Sequence, residues 1–229
     1  MKSGIFEGKT DIHCHVLPGV DDGSPDIEHS LDLLDYMEED IGFKKIWFTP
    51  HVMADLQNTA EKLKKVFDNF MPQYKGGLEI NLASEYMMDQ GFETRLKTDP
   101  LRLGKTHLLV ETSYMNPPSG LMQILEEVWN SDFHPLIAHP ERYMYMEMQD
   151  YESLKASGYE FQLNFMSLSG YYGARPKMMA ELLLEKGMYD FVGSDLHHIN
   201  RYEDYLYDLK LATKQLDALE QLLIHNDEV

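Results

Sequence analysis

Seven short apolar runs punctuate this chain, and each stops at a residue able to bind a metal or a phosphate. They are TDIHCHV, KKIWFTPH, LEINLASEY, THLLVETS, HPLIAHPE, YEFQLNFMS and YDFVGSDLHH. All are rich in Ile, Val, Leu, Phe and Tyr, the composition of parallel strands covered on both faces. Most are followed by a stretch with helical grammar. SPDIEHSLDLLDYMEEDIG offers Ser24 as N-cap, Pro25 in the first turn and Gly42 at the stop. After the last run, RYEDYLYDLKLATKQLDALEQLLIH repeats its apolar residues every ~3.6 positions and reads as a closing helix. This alternation predicts a parallel α/β barrel or an open α/β sheet. The connection over residues 87–105 is the one irregular part of the repeat.

The length of 229 residues suits a single domain, 1–229, and a 43% apolar content supplies a sizeable core. No run approaches the length of a membrane span, so no membrane insertion is expected. The opening MKSGIFEGKTD lacks the apolar region of a signal peptide. A lone cysteine cannot form an internal disulfide, which fits a reducing compartment, so a cytoplasmic location is expected. With 39 acidic against 20 basic side chains the net charge is −19, a surface that repels nucleic acid. A phosphorylated substrate would need a local positive site that overrides this field.

The strand ends supply candidates for such a site. The runs close at His13 and His15, His51, Glu85, Glu111, His139, Asn164, and finally Asp195 and His197. In parallel barrels the carboxyl ends of the strands converge on one face, where active sites sit. One polar residue closing a strand is an ordinary solvated edge; seven in register are not. Imidazole nitrogen and carboxylate oxygen suit manganese, iron or zinc.

The stretch KTDIHCHVLPGVDDG makes Cys14 either a nucleophile activated by its neighbours or a spacer between two metal ligands. Residues two apart on a strand share a face, so His13 and His15 point together while Cys14 points away, toward the helical layer. Cysteine-dependent phosphatases also place an arginine six residues after the cysteine, where this chain has Val20. The G-x-S-x-G, G-x-x-x-x-G-K-[ST] and G-x-G-x-x-G motifs are missing as well, removing the usual anchors of serine hydrolases, nucleoside triphosphatases and dinucleotide enzymes.

Taken together, DIHCHVLPGVDDG, FTPH, SEY, VETS, AHPER and GSDLHH resemble, in order and spacing, the PHP family, named for polymerases and histidinol phosphatases. H-x-H-x-L-P-G-x-D-D-G and A-H-P-E-R resemble its bacterial branch of protein-tyrosine phosphatases from capsular and extracellular polysaccharide operons. The resemblance covers residues 11–201. It implies a distorted (β/α)7, TIM-like barrel holding three divalent metals, with Mn favoured and Fe or Zn as alternatives. Carried over, His13 and His15 would share one metal with Glu85 and Asp195, and Glu85 would bridge to a second held by Glu111 and His139. A third would be held by His51, His197 and one aspartate of the DDG pair, Asp22 or Asp21. Some PHP relatives carry histidine at Glu111 and at that aspartate; the departure favours phosphotyrosine over histidinol phosphate. The implied partner is the tyrosine-rich tail of a bacterial tyrosine autokinase. The runner-up is a phosphoesterase acting on a small metabolite, and the non-enzymatic reading is a metal- or partner-binding domain.

Charge supports the phosphatase reading. Three divalent ions bring about +6 against about −4 from four carboxylates, leaving about +2 for a phosphate dianion. Metal ions also make hydroxide available for in-line attack at neutral pH. Arg142, three residues past His139, is the candidate to hold the phosphate oxygens, with Arg201 as the second. Arg175 is weaker and reads as a helix-start residue. His198 could donate a proton or merely sit beside His197. His29, His107, His134 and His225 read as surface or structural. The tracts RYMYMEMQDY and SYMNPPSG read either as a rim for substrate or as packing and connection.

Overall fold

The structure, a computed structural model, describes residues 4–98 and 100–229, apart from the side chain of Arg201. The seven apolar runs all form strand. Two are interrupted near their carboxyl ends, which gives nine segments: β1 (Thr10–Cys14), β2 (Lys45–Phe48), β3 (His51–Val52), β4 (Glu79–Leu82), β5 (Glu85–Met87), β6 (His107–Glu111), β7 (His134–Ala138), β8 (Glu160–Asn164) and β9 (Phe191–Gly193). Every pairing is parallel, in the orders β1-β2-β4 and β3-β5-β6-β7-β8-β9. Because β2 runs into β3 and β4 into β5, the two sheets are one surface. It closes where the end of β9 meets β1: Asp195 N donates to His13 O (2.8 Å) and His15 N donates to Leu196 O (2.9 Å). The expected α/β barrel of seven strand runs is therefore the architecture.

The helices are α1 (Ile27–Asp35), α2 (Ala60–Phe70), α3 (Phe92–Leu96), α4 (Leu121–Asn130), α5 (Met148–Ala156), α6 (Ala174–Glu185), α7 (Asn200–Asp208) and α8 (Thr213–Asn226). Two sequence expectations shift. Asp26, not Ser24, caps α1, accepting from His29 N; the Ser24 hydroxyl is drawn inward to Ser30 and Asp26 O. The expected closing helix is two helices, parted at Leu209, whose backbone turns extended (ψ 119°) as its side chain enters the core; Gln215 then receives Ala212 N at the start of α8. The irregular connection over residues 87–105 contains the short α3. The Gly42 stop is as expected, in the left-handed region (φ 92°), though α1 reaches it through a π-helical turn over Tyr36–Ile41.

Two apolar layers result from the alternation of side chains along the strands. Leu108, Val110, Phe161 and Leu163 face the helices. Ile12, Leu109, Leu136, Ala138 and Phe191 fill the barrel interior. Cys14 joins the outer layer, fully buried, with its thiol against Trp47 O (3.3 Å). Burial pushes that thiol far above its ordinary value, so it is no nucleophile. One detail escapes simple alternation: a register irregularity between Asp11 and Cys14 lets Ile12 face the interior just below His13. Cys14→Ala is expected to keep turnover within about twofold and to cost ~1 kcal/mol, as small truncations of buried groups do, read by steady-state assay and denaturant unfolding.

Candidate metal centre

Register brings the strand-end donors together. His51 and Glu85 are direct partners across β3 and β5, and Met87 pairs with Glu111 across β5 and β6. Gly193 lets β9 approach β1 at His13; a Cβ there would stand 2.6 Å from the His13 Cβ and 2.7 Å from Gln162 Nε2. His139 (φ 33°) and Asp195 (φ 51°) both occupy the left-handed region that side chains other than glycine rarely adopt. Strain of this kind persists where the surroundings over-determine a residue, and here it turns both side chains into the barrel mouth.

Three groups of donors form. In the deepest, His13 Nε2 and His15 Nε2 are 3.1 Å apart, and each is 3.4 Å from both Glu85 Oε2 and Asp195 Oδ1. His13, His15 and Asp195 each place one donor atom within 4.8 Å of the others, close enough to share a cation. In the second, His139 Nε2 lies 2.9 Å from Glu85 Oε1 and 3.8 Å from Glu111 Oε2. His51 Nδ1 also enters here, 3.1 Å from Glu85 Oε2 and 2.9 Å from Glu111 Oε1. In the third, Asp22 Oδ1 is 3.5 Å from His51 Nε2 and 3.4 Å from His197 Nε2.

The choice between the paired aspartates follows. Asp21 is turned away from the third group: its Oδ2 meets His15 Nδ1 (2.9 Å) and receives His51 N (3.0 Å), and its Oδ1 receives Gly23 N (3.1 Å). It holds His15 and the His51 backbone, while Asp22 presents its carboxylate to His51 and His197.

Several atoms here lack any partner of hydrogen-bond geometry among the described residues, although buried: His51 Nδ1, Glu85 Oε2, Glu111 Oε1 and His139 Nδ1. Buried polar atoms are rarely left unpaired. His51 Nδ1 and the two carboxylate oxygens near it approach one another without donor alignment, as ligands of a shared cation do. The outer nitrogens of three other rings are tied down: His13 Nδ1 to Gln162 Oε1 (2.9 Å), His15 Nδ1 to Asp21, and His197 Nδ1 to Asp195 O (2.9 Å). Each of those rings thus keeps Nε2 free for the centre, the arrangement that orients metal-binding histidines. The residues present fit divalent cations.

The electrostatics agree. Burial opposes ionisation of Glu85 and Asp195, yet the surrounding imidazoles, with Arg142 beside Asp195, hold both carboxyls well below the usual carboxylate range. In turn Glu85 and Glu111 push His51 up to about 10 against burial and the charge of His15. The pocket is an anionic well that demands positive charge.

Above the donors opens a cavity of about 300 Å³, with Tyr114, Arg142, Tyr171, Tyr172 and His198 in its wall. Arg142 is clamped: its guanidinium lies 4.3 Å from the Tyr114 ring centre and 4.0 Å from that of Tyr172, and it donates to Asp195 Oδ2 (2.6 Å). Asn164 Nδ2 (2.9 Å) and Tyr172 Oη (3.2 Å) donate to the same oxygen. Larger hollows lie elsewhere, one of about 630 Å³ beside Met87–Thr94, but they lack convergent donors. Chemistry rather than size selects the site.

Glu141 is not the partner of Arg142. Fully buried, its carboxylate receives Asn164 N (3.0 Å), Ser167 Oγ (2.8 Å) and Tyr189 Oη (3.0 Å), pinning the strand-end loop to the next strand. Glu141→Ala would strand three buried donors and is expected to destabilise by ~3 kcal/mol, read by urea unfolding. Arg175 braces the same loop, donating to Met144 O and Met146 O. The Tyr/Met tract is largely packing: Tyr143, Met146 and Tyr151 are buried, while Met144 is exposed. SYMNPPSG is part of the rim, through Tyr114. The side chain of Arg201, the second arginine candidate, lies outside the described residues. Sequence reasoning missed Gln162, Tyr114 and Tyr172. Gln162 was within reach, because it stands two residues before Asn164 and so shares its face.

A parallel α/β barrel with clustered imidazoles and carboxylates at its carboxyl-end mouth defines a metallohydrolase-like architecture. The chain belongs to the CpsB/CapC family of capsular polysaccharide synthesis, whose model matches residues 9–228. It is 28% identical over 204 residues to the tyrosine-protein phosphatase YwqE of Bacillus subtilis, covering 82% of this chain and 77% of that one. To the tyrosine-protein phosphatase CpsB of Streptococcus pneumoniae it is 28% identical over 240 residues, covering 94% and 95%. Among solved structures, the crystal structures described as YwqE from Bacillus subtilis and CpsB from Streptococcus pneumoniae, unique metal-dependent tyrosine phosphatases, give a TM-score of 0.75 at 24% identity over 95% of this chain and 94% of that one. An inactive dihydroorotase-like domain of a Chaetomium thermophilum CAD-like protein shares the fold at a TM-score of 0.57 and 12% identity, over 97% of this chain and 78% of that one.

Proposed function

We propose that residues 1–229 form one domain that hydrolyses phosphotyrosine on a protein, as a metal-dependent tyrosine phosphatase of capsular polysaccharide synthesis. One observation carries the reading: donors for divalent cations, a clamped arginine and an aromatic wall all face a single cavity. The family and its named relatives support it.

Three ions, manganese first, would be held by His13, His15, Glu85 and Asp195; by Glu85, Glu111 and His139; and by His51, His197 and Asp22. When bound, they supply positive charge to the phosphoryl oxygens and acidify water enough for attack at neutral pH. The chain's own residues do the rest. Arg142, held planar between two rings, presents its fork to two phosphate oxygens. Asp195 fixes that fork from behind. Tyr114, Tyr171 and Tyr172 offer ring faces and edges to the departing tyrosine. A phenol, with a pKa near ~10, leaves with little help from an acid. The substrate we favour is the tyrosine-rich tail of a bacterial tyrosine autokinase.

Turnover of a phosphotyrosine peptide with Mn added is expected to exceed that of histidinol phosphate. Chelation should abolish it and Mn should restore it. Preference for the small metabolite, or full activity after chelation, would overturn the assignment.

A further inference from the structure

The barrel interior has a second polar end. Below the apolar layer of Leu109, Leu136 and Phe191, the first residues of three consecutive strands face inward: His107 of β6, His134 of β7 and Glu160 of β8. His107 and His134 are direct register partners, and Glu160 pairs with Leu136 one step along. One donor atom from each of the three lies within 4.8 Å of the other two. His107 Nε2 stands 2.8 Å from Glu160 Oε2. Both rings are held in place: Phe191 meets His107 edge-on at 5.1 Å between ring centres, and Trp129 stacks flat on His134 at 4.9 Å.

This group takes no part in the catalytic-face centre. His107 and Glu111 are four residues apart on one strand, about 13 Å at the usual rise, with the apolar layer between them. A bare His–Glu hydrogen bond would account for two of the three residues. It would not account for a second imidazole held alongside in register, stacked and partly open to water.

We propose that His107, His134 and Glu160 form a second divalent-cation site, on the amino-end face of the barrel, which ties β6, β7 and β8 together. Two imidazoles and one carboxylate suit a borderline ion such as zinc, with water completing the shell. Closing on an ion requires the 2.8 Å His107–Glu160 contact to open by about 0.5 Å, to the edge length of a tetrahedral site.

The test uses the full chain. Equilibrium dialysis against zinc, followed by elemental analysis, should show wild type holding about one equivalent more than His134→Ala and than Glu160→Gln. Zinc on the catalytic face is common to all three and cancels. Turnover with Mn should stay within about twofold in both variants. Cobalt supplies an independent readout, since Trp129 stacks on the proposed ligand and the chain has only 2 tryptophans. Cobalt should quench emission in wild type, and the quenched component should vanish in Trp129→Phe and in His134→Ala. Equal zinc stoichiometry in wild type and Glu160→Gln, the variant that preserves the shape of the side chain, would overturn the proposal.

Discussion

Replacing Glu85 with alanine is expected to lower phosphotyrosine turnover by about 1,000-fold or more and to strip metal from the protein. The two Glu85 oxygens face four imidazoles, those of His13, His15, His51 and His139, at 2.9–3.4 Å. On the proposed assignment, removing Glu85 would take a ligand from two adjacent sites at once and leave several imidazoles crowded together without a countercharge. The carboxylate's polar neighbours are the imidazoles of the barrel mouth, so the far-ultraviolet circular dichroism should be unchanged. Metal content by elemental analysis and turnover should fall together. A folded Glu85→Ala protein that keeps its metal and turns over within tenfold of wild type would refute the arrangement of sites.

Arg142→Ala should behave differently. Turnover is expected to drop about 100- to 1,000-fold, the cost of losing one preorganised donor to a developing oxyanion, while metal content stays at the wild-type level. The reason is local: Asp195 Oδ2 keeps Asn164 and Tyr172 as partners, and Oδ1 still faces His13 and His15. Arg142→Lys should recover little, because an ammonium has neither the planar fork nor a flat surface to fill the gap between Tyr114 and Tyr172. Steady-state kinetics with metal analysis separates the two variants. Loss of metal in Arg142→Ala would make the arginine a structural brace rather than a phosphate ligand.

Much of this site is legible before folding. A strand's carboxyl end in a parallel barrel has one place to go, so His51, Glu85, Glu111 and His139 could be assigned to one face from the run that carries each. His13 and His15 could be paired by the two-residue period of a strand, and Cys14 set aside by the same rule. Less legible are residues whose position depends on a neighbouring element. Tyr114 and Tyr172 lie on separate loops and meet only across Arg142. Gln162 becomes a partner of His13 only because β9 brings β8 beside β1. Ser24 and Asp26 are both good caps in isolation; burial of the Ser24 hydroxyl against Ser30 gives the cap to Asp26.

The order of strands, the donor types and the face they share follow from the sequence by itself, because strand period and strand–helix alternation are local properties. Which donors gather in one group, which aspartate of the pair faces inward, and the meeting of His107, His134 and Glu160 at the far end were decided by register and barrel closure. Those depend on contacts between residues far apart in the chain, whose relative placement no local propensity encodes.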